Sequence, residues 1–89
     1  MLELEYTTQF KRDLKLSKKR GKDTNKFDKI VELLLKEKSL PEKYRDHPLS
    51  GNYKDHRECH IEPDWLLIYL QSKAILALVR TGSHADLFN

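Results

Sequence analysis

Apolar positions along the chain first alternate and then follow a helical period. Residues 2–6, LELEY, place an apolar side chain at every second position, which predicts a strand. A helix follows, which Thr7 or Thr8 can cap and which ends near Gly21. A second helix begins after Gly21, carries the apolar stripe of a half-buried helix, and ends at Pro41.

Strand patterns dominate the second half of the chain. Residues 39–54 hold two of the three prolines without any period, which predicts a loop. Alternation over residues 56–61 predicts a strand, and the apolar runs 65–71 and 74–80 predict two more, joined by a tight hairpin. The predicted order is therefore β-α-α-β-β-β. This is an α+β fold, in which two N-terminal helices pack on one face of an antiparallel sheet and leave the other face open.

Length and cysteine content limit the class of protein. The chain has 89 residues, which predicts a single domain over residues 1–89. The one cysteine, Cys59, excludes an intrachain disulfide and fits a reducing compartment. The N-terminus has no long apolar run, so we expect neither a signal peptide nor a membrane span, and a cytoplasmic location.

Positive charge is concentrated in the first helix. The whole chain carries +3 at pH 7, whereas residues 11–22 hold seven Lys and Arg against one acid, Asp13. Such a block attracts phosphate backbones, although a solvated helix face is an equally good explanation. The candidate substrate-binding residues in the block are Lys11, Arg12, Lys15, Lys18 and Lys19.

Four histidines in so short a chain provide candidate acid–base groups. Strand parity places His56, Glu58 and His60 on the open face of the sheet and Cys59 on the core side. Metal-free RNA cleavage needs a base for the ribose 2′-OH, an acid for the leaving 5′ oxygen and a cation for the phosphate charge. The residues that could supply these groups are His47, Glu58, His60, Asp64, Arg80 and His84.

Other chemistries have weaker signals. Cys59 and the histidines could bind a metal, but the close paired spacings of zinc sites are absent, and parity points Cys59 away from His60. We therefore expect no metal and no cofactor. Trp65 could stack on bases or belong to the core, and Phe88 could cover the edge of the core or hold the tail in place.

Two stretches of the chain resemble a known family. DHPLSGNYKDHRECHIEPDWLLIY, residues 46–69, and RTGSHADLF, residues 80–88, are similar in order and spacing to the YafQ branch of the RelE/ParE toxin superfamily. The resemblance implies a RelE-like microbial ribonuclease fold and an mRNA interferase that cuts mRNA in the ribosomal A site, beside rRNA. It also implies a type II pair with a DinJ- or RelB-like antitoxin, whose complex with the toxin binds operator DNA.

The resemblance also implies roles for individual residues. The positions that match the family's active site are His47, His60, Asp64 and His84. His84 would be the general acid, and His60 or Asp64 would be the base or would orient it. Arg80 would neutralise the scissile phosphate, Trp65 and Phe88 match positions important to the site, and Glu58 stands where the family can carry Asp.

Two other functions stay open at this point. ParE toxins share the fold but act by binding DNA gyrase, and they are not known for a histidine cluster. A non-catalytic nucleic-acid-binding or regulatory module would need only the basic first helix. The cluster of histidines favours the ribonuclease.

Overall fold

A five-stranded sheet with helices on both faces forms the frame of the structure, a computed structural model that describes residues 1–88. Residue 89, where the predicted domain ends, lies outside the described residues. The strands are β1 (Glu3–Tyr6), β2 (His47–Pro48), β3 (Arg57–Glu62), β4 (Trp65–Gln71) and β5 (Ile75–Gly82). The α-helices are α1 (Thr8–Lys19), α2 (Thr24–Leu35) and α3 (His84–Phe88).

Local capping sets the bounds of the two long helices. The side chains of Thr7 and Asp23 each accept a backbone N–H at the start of α1 and α2. Gly21 turns the chain after α1 with a φ of +81°. The predicted end of α2 at Pro41 is wrong, because Glu37 takes a left-handed φ of +57° and stops the helix earlier. Within residues 1–88, none of the helices is long and apolar enough to cross a membrane.

The sheet is mixed, whereas the sheet of the predicted α+β fold is purely antiparallel. Strands β3, β4 and β5 form the expected antiparallel meander, but β1 pairs with β5 in parallel. The reason is β2, a two-residue strand inside the predicted loop, which pairs antiparallel with β3. This strand adds one reversal of the chain before the meander, so β3 and β5 run in the same direction as β1. The order of strands in the sheet is β1-β5-β4-β3-β2.

Helices α1 and α2 cover one face of the sheet, as predicted, and the main core lies between these helices and the sheet. Its larger members are Phe10, Phe27, Ile30, Leu34, Cys59, Trp65, Leu67, Leu76 and Leu78. Trp65 is 1% exposed, and its indole N–H donates to Thr81 Oγ1 over 2.9 Å. The stacking of Trp65 on bases is therefore a wrong prediction, because its ring packs in the core.

The opposite face is only partly open. Helix α3 forms after the last predicted strand, in a stretch for which the sequence predicts no element, and the segment 49–53 packs beside it. Together they pack a second, smaller core on β4 and β5, which consists of Leu49, Tyr53, Leu66, Ile68, Val79 and Leu87. An ion pair of 2.6 Å between Arg20 Nη1 and Asp86 Oδ2 ties α3 to the end of α1. The strip of this face beside β2 and β3 is left for a site.

Candidate active site

Three of the four histidines form a row across this strip. The ring centroids of His47 and His60 are 6.1 Å apart, and those of His60 and His84 are 5.6 Å apart. Strand β2 places His47 opposite Glu58 of β3, the next outward position of β3 is His60, and α3 begins at His84. Three separate elements thus assemble the predicted histidines. His56, which parity assigns to the same open face, is not part of the row.

Glu58 joins two members of the row. Its Oε1 lies 3.4 Å from Nε2 of His47 and 3.4 Å from Nε2 of His60. The residue is 4% exposed, and among the residues described its Oε2 has no hydrogen-bond partner. Nδ1 of His47 faces the carbonyl of Arg45 at 2.7 Å, and Nδ1 of His60 faces that of Pro63 at 3.3 Å. Because carbonyl oxygens only accept, we place a proton on each Nδ1, and Nε2 of each ring points to Glu58.

Asp64 holds the third histidine. Its Oδ1 accepts the backbone N–H of His84 over 2.9 Å and lies 2.7 Å from Nδ1 of the same residue. One carboxylate therefore caps the start of α3 and orients the imidazole, which leaves Nε2 free for chemistry. These hydrogen bonds, the backbone one above all, hold the pKa of Asp64 below its ordinary value. Both side chains are exposed, so a substrate can reach them.

Arg80 is bound by a residue that is not among the predicted site residues. Asp13 of α1 accepts Nε and Nη2 of Arg80 over 2.7 and 3.2 Å, and the N–H of Thr81 over 3.2 Å. The hydrogen bonds to Asp13 raise the pKa of Arg80 above its ordinary value. The pair fixes the orientation of the guanidinium and neutralises part of its charge. The sequence feature that could have indicated this role is that Asp13 is the single acid in the basic block, residues 11–22.

Basic side chains lie on two surfaces. The five cations predicted from the basic block, Lys11, Arg12, Lys15, Lys18 and Lys19, are all exposed on α1, in the helix layer. A second set, dispersed along the sequence and therefore not predicted, lines a groove of about 670 Å³ beside His60. These groove cations are Lys26, Lys29, Lys43 and Arg45.

Phe88 lies at the end of α3. The residue is 48% exposed, and its ring meets that of Tyr53 edge-on at a centroid distance of 6.2 Å. Residues four apart share a helix face, so Phe88 and His84 lie on the same side of α3. The exposed ring is available to a base near the histidine row.

Known proteins match the whole of this chain. A family model described as "Bacterial toxin of type II toxin-antitoxin system, YafQ" matches residues 2–89. The mRNA interferase toxin YafQ of Escherichia coli is 46% identical over 87 residues, 97% of this chain and 95% of that protein. The crystal structure of the E. coli DinJ–YafQ complex has a TM-score of 0.93 at 44% identity and covers 100% of both chains. The crystal structure of a metal-bound toxin from Helicobacter pylori has a TM-score of 0.93 at 48% identity and covers 99% of this chain and 100% of that one.

The mixed sheet, its two-helix layer and the histidine row together define a small toxin with a RelE-like α+β fold. The chain belongs to the YafQ family of bacterial toxins of type II toxin–antitoxin systems. The family predicted from DHPL, HIEPDW and RTGSH is confirmed, and so is the predicted fold class.

Proposed function

We propose that this chain is an mRNA interferase, a ribosome-dependent endoribonuclease that cuts mRNA in the ribosomal A site and stops translation. The observation that carries the proposal is the row His47–His60–His84, which has a carboxylate against each end and opens to solvent. The similar E. coli protein is named an mRNA interferase toxin, which supports the substrate class. The chain acts in the cytoplasm, where mRNA is translated.

The reaction needs two proton transfers and no metal. A base takes the proton of the ribose 2′-OH, and the oxygen attacks the adjacent phosphorus. The bond from phosphorus to the 5′ oxygen breaks as an acid protonates that oxygen. The upstream product ends in a 2′,3′-cyclic phosphate, and the downstream product begins with a 5′-OH.

The contacts of the row support a division of these roles. His84 is the acid, because Asp64 lies against Nδ1 and stabilises the protonated ring. His60, at a centroid distance of 5.6 Å from His84, is the base, because Nδ1–H on the carbonyl of Pro63 leaves the lone pair of Nε2 to accept a proton. Glu58, whose Oε1 is 3.4 Å from Nε2 of His60 and of His47, then balances the positive charge of the protonated ring. Arg80, positioned by Asp13, stabilises the charge that develops on the phosphate. Phe88 contacts a base on the outer side of α3.

The two basic surfaces have different tasks. Cations that contact phosphates supply affinity without sequence information. Within residues 1–88, Lys29, Lys43 and Arg45 form no ion pair, whereas Lys26 pairs with Glu62 over 2.8 Å. The groove opens on His60 and therefore guides the mRNA strand to the row. The exposed cations of α1 bind ribosomal RNA.

Two matched charge reversals separate these tasks. Lys15→Glu with Lys18→Glu on α1 should weaken ribosome binding, flatten its salt dependence and leave codon preference unchanged. Lys29→Glu with Lys43→Glu in the groove makes the same change in charge, but should mainly slow cleavage on saturated ribosomes. Both effects are measured by filter binding and by cleavage at saturating toxin. Equal effects of both pairs on binding and rate would contradict the division.

A cognate antitoxin of the DinJ type neutralises the toxin, and the complex of the two binds its operator DNA. The matching E. coli structure is a DinJ–YafQ complex, which supports this part of the proposal. Co-expression of the antitoxin encoded beside the toxin should restore growth, and the purified pair should shift its operator in a gel. Growth arrest that persists at excess antitoxin would refute the pairing.

Cleavage on programmed ribosomes tests the function. The purified chain is added to ribosomes that hold a defined mRNA, primer extension maps the cuts, and a gyrase supercoiling assay runs in parallel. We expect cuts inside the A-site codon, cyclic phosphate ends, and unchanged supercoiling. Toxin that EDTA has stripped of metal, and that is freed of EDTA before it meets the ribosomes, should cleave at the same rate as untreated toxin. Inhibited supercoiling without cuts would identify a ParE-like toxin, and RNA binding without either activity would identify a non-catalytic module. Stripped toxin that is inactive in ribosome buffer, which already holds Mg²⁺, and that regains activity with Zn²⁺ would overturn the metal-free mechanism.

A further inference from the structure

The turn between β3 and β4 holds two histidines of the row at once. The carbonyl of Pro63 faces Nδ1 of His60 at 3.3 Å. The next residue, Asp64, accepts the backbone N–H of His84 over 2.9 Å and lies 2.7 Å from Nδ1 of the same residue. Whatever fixes this turn therefore fixes both the base and the acid of the proposed reaction.

A bulge in β3 sets the direction of Glu62, the last residue before the turn. The pairing of β3 with β4 shifts by one residue between His60 and Glu62. In a regular strand Glu62 would share the open face with His60, because alternate side chains point to the same side. The bulge instead turns Glu62 toward the helix layer, where its carboxylate meets Lys22 and Lys26.

These two lysines form a clamp on the Glu62 carboxylate. Lys22, between α1 and α2, donates to Oε1 over 3.0 Å, and Lys26 of α2 donates to Oε2 over 2.8 Å. The hydrogen bonds from Lys26 and Lys22 lower the pKa of Glu62 below its ordinary value. The Glu62 side chain is 27% exposed, so water screens the clamp less than it screens a fully exposed pair. The clamp thus fastens the turn to the helix layer.

The position of the turn decides which nitrogen of His60 carries the proton. Two acceptors compete for that proton: the carbonyl of Pro63 at Nδ1, and Glu58, whose Oε1 lies 3.4 Å from Nε2. With the carbonyl in place the proton is on Nδ1, and Nε2 keeps the lone pair that a base needs. If the turn withdraws, the Glu58 carboxylate attracts the proton to Nε2, and that lone pair is lost.

We propose that Glu62 is a positioning residue for RNA cleavage, because its clamp holds the turn that sets the tautomer of His60 and the orientation of His84. Within the described chain Glu62 makes no hydrogen bond to either ring, and it acts through the backbone of Pro63 and the side chain of Asp64. The effect on the cleavage rate rests on the proposed function, but the effect on the two histidines does not.

Nuclear magnetic resonance of the free, full-length chain tests the clamp without any cleavage assay. Correlation spectra of the ring nitrogens, recorded where the imidazoles are neutral, distinguish a proton on Nδ1 from one on Nε2. Glu62→Gln keeps the size of the side chain but loses its charge, and its one carbonyl oxygen replaces two carboxylate oxygens. We expect a larger share of the Nε2–H tautomer at His60 and faster hydrogen exchange of the His84 amide.

A second variant removes the clamp from its other side. Lys22→Met with Lys26→Met keeps the alkyl stems and leaves Glu62 intact, and the two lysines are 35% and 53% exposed, so this chain should fold. It should show the same two changes as Glu62→Gln. Glu32→Gln is the matched control, because it makes the same substitution in an exposed ion pair with Lys36, and it should keep the spectra of the parent.

A parent-like tautomer and parent-like amide exchange in the double lysine variant would overturn the positioning role. Equal changes in Glu32→Gln would overturn it too, since they would show an effect of charge alone. Circular dichroism checks the fold of each variant.

Single-turnover cleavage on programmed ribosomes, at saturating toxin, tests the consequence for the reaction. A misplacement of reacting groups by about 1 Å can cost about 10²-fold in rate, so we expect Glu62→Gln to cleave about 10- to 100-fold more slowly while it binds ribosomes like Glu32→Gln. Parent-like cleavage by a variant whose tautomer has shifted would overturn the role in catalysis. A parent chain that never cleaves mRNA would instead refute the proposed function, while the spectra still decide whether the clamp holds the histidines.

Discussion

Replacing Asp13 with Asn tests whether the contact between α1 and β5 supports the site. Asp13 is 8% exposed and accepts two N–H groups of Arg80 and one of Thr81, over 2.7 to 3.2 Å. Asn keeps the size of the side chain but loses its charge, and its amide NH₂ must face a donor. The substitution therefore leaves at least one buried donor without an acceptor.

The expected cost follows from burial and geometry. Breaking a buried ion pair by removing one partner costs about 3–5 kcal/mol. The side chain of Arg80 is 24% exposed, and partial rehydration of its guanidinium lowers the expected cost to about 2–3 kcal/mol. In a domain of this size, such a loss should lower Tm by about 10–20 °C.

Thermal and urea unfolding, followed by far-UV circular dichroism, measures this change. Glu32→Gln is the control, because it breaks an exposed ion pair of 2.9 Å with Lys36 on α2 and should melt with the parent. If Asp13→Asn melts together with Glu32→Gln, the Asp13–Arg80 pair does not support the fold and the reasoning is refuted.

Acid should loosen α3, because Arg20 and the N–H of Ser83 lower the pKa of Asp86 from 3.8 to about 2. The stabilisation is fully present above the ordinary pKa of 3.8 and is lost as the pH falls through about 2. Asp86→Asn should therefore have a lower Tm than the parent at neutral pH and the same Tm in strong acid. A difference in Tm that does not change with pH would contradict this. Trp65→Phe should lower Tm, since it removes the hydrogen bond to Thr81, while the folded variant cleaves like the parent. A folded but inactive variant would restore Trp65 to the substrate site.

Hydrophobic periodicity predicts those elements that bury one face against the main core. The run 65–71 becomes β4 with the same bounds, and α1 begins at Thr7, one of its two predicted caps. Parity also places Glu58 and His60 on the face opposite the helices, because side chains of a strand alternate whatever its neighbours are.

Elements and contacts without a local period escape such prediction. Strand β2 has two residues and α3 has five, which is too short for any pattern to repeat. The ion pair of Asp13 with Arg80 joins residues 67 apart, and only the packing of α1 against β5 brings them together. For Trp65 the position allows either core or site, and the place of its partner Thr81 on β5 decides for the core.

The rate of mRNA cleavage by His84→Gln on programmed ribosomes tests the central claim most directly. The side chain of His84 is 55% exposed, so the variant should fold, bind ribosomes and bind the antitoxin. Loss of a general acid removes a factor of about 10²–10⁴ in rate, and we expect single-turnover cleavage to fall by that factor. His56→Gln, measured beside it, should cleave like the parent. Parent-like cleavage by folded His84→Gln, or a loss that unfolding explains, would contradict the assignment of His84 as the general acid.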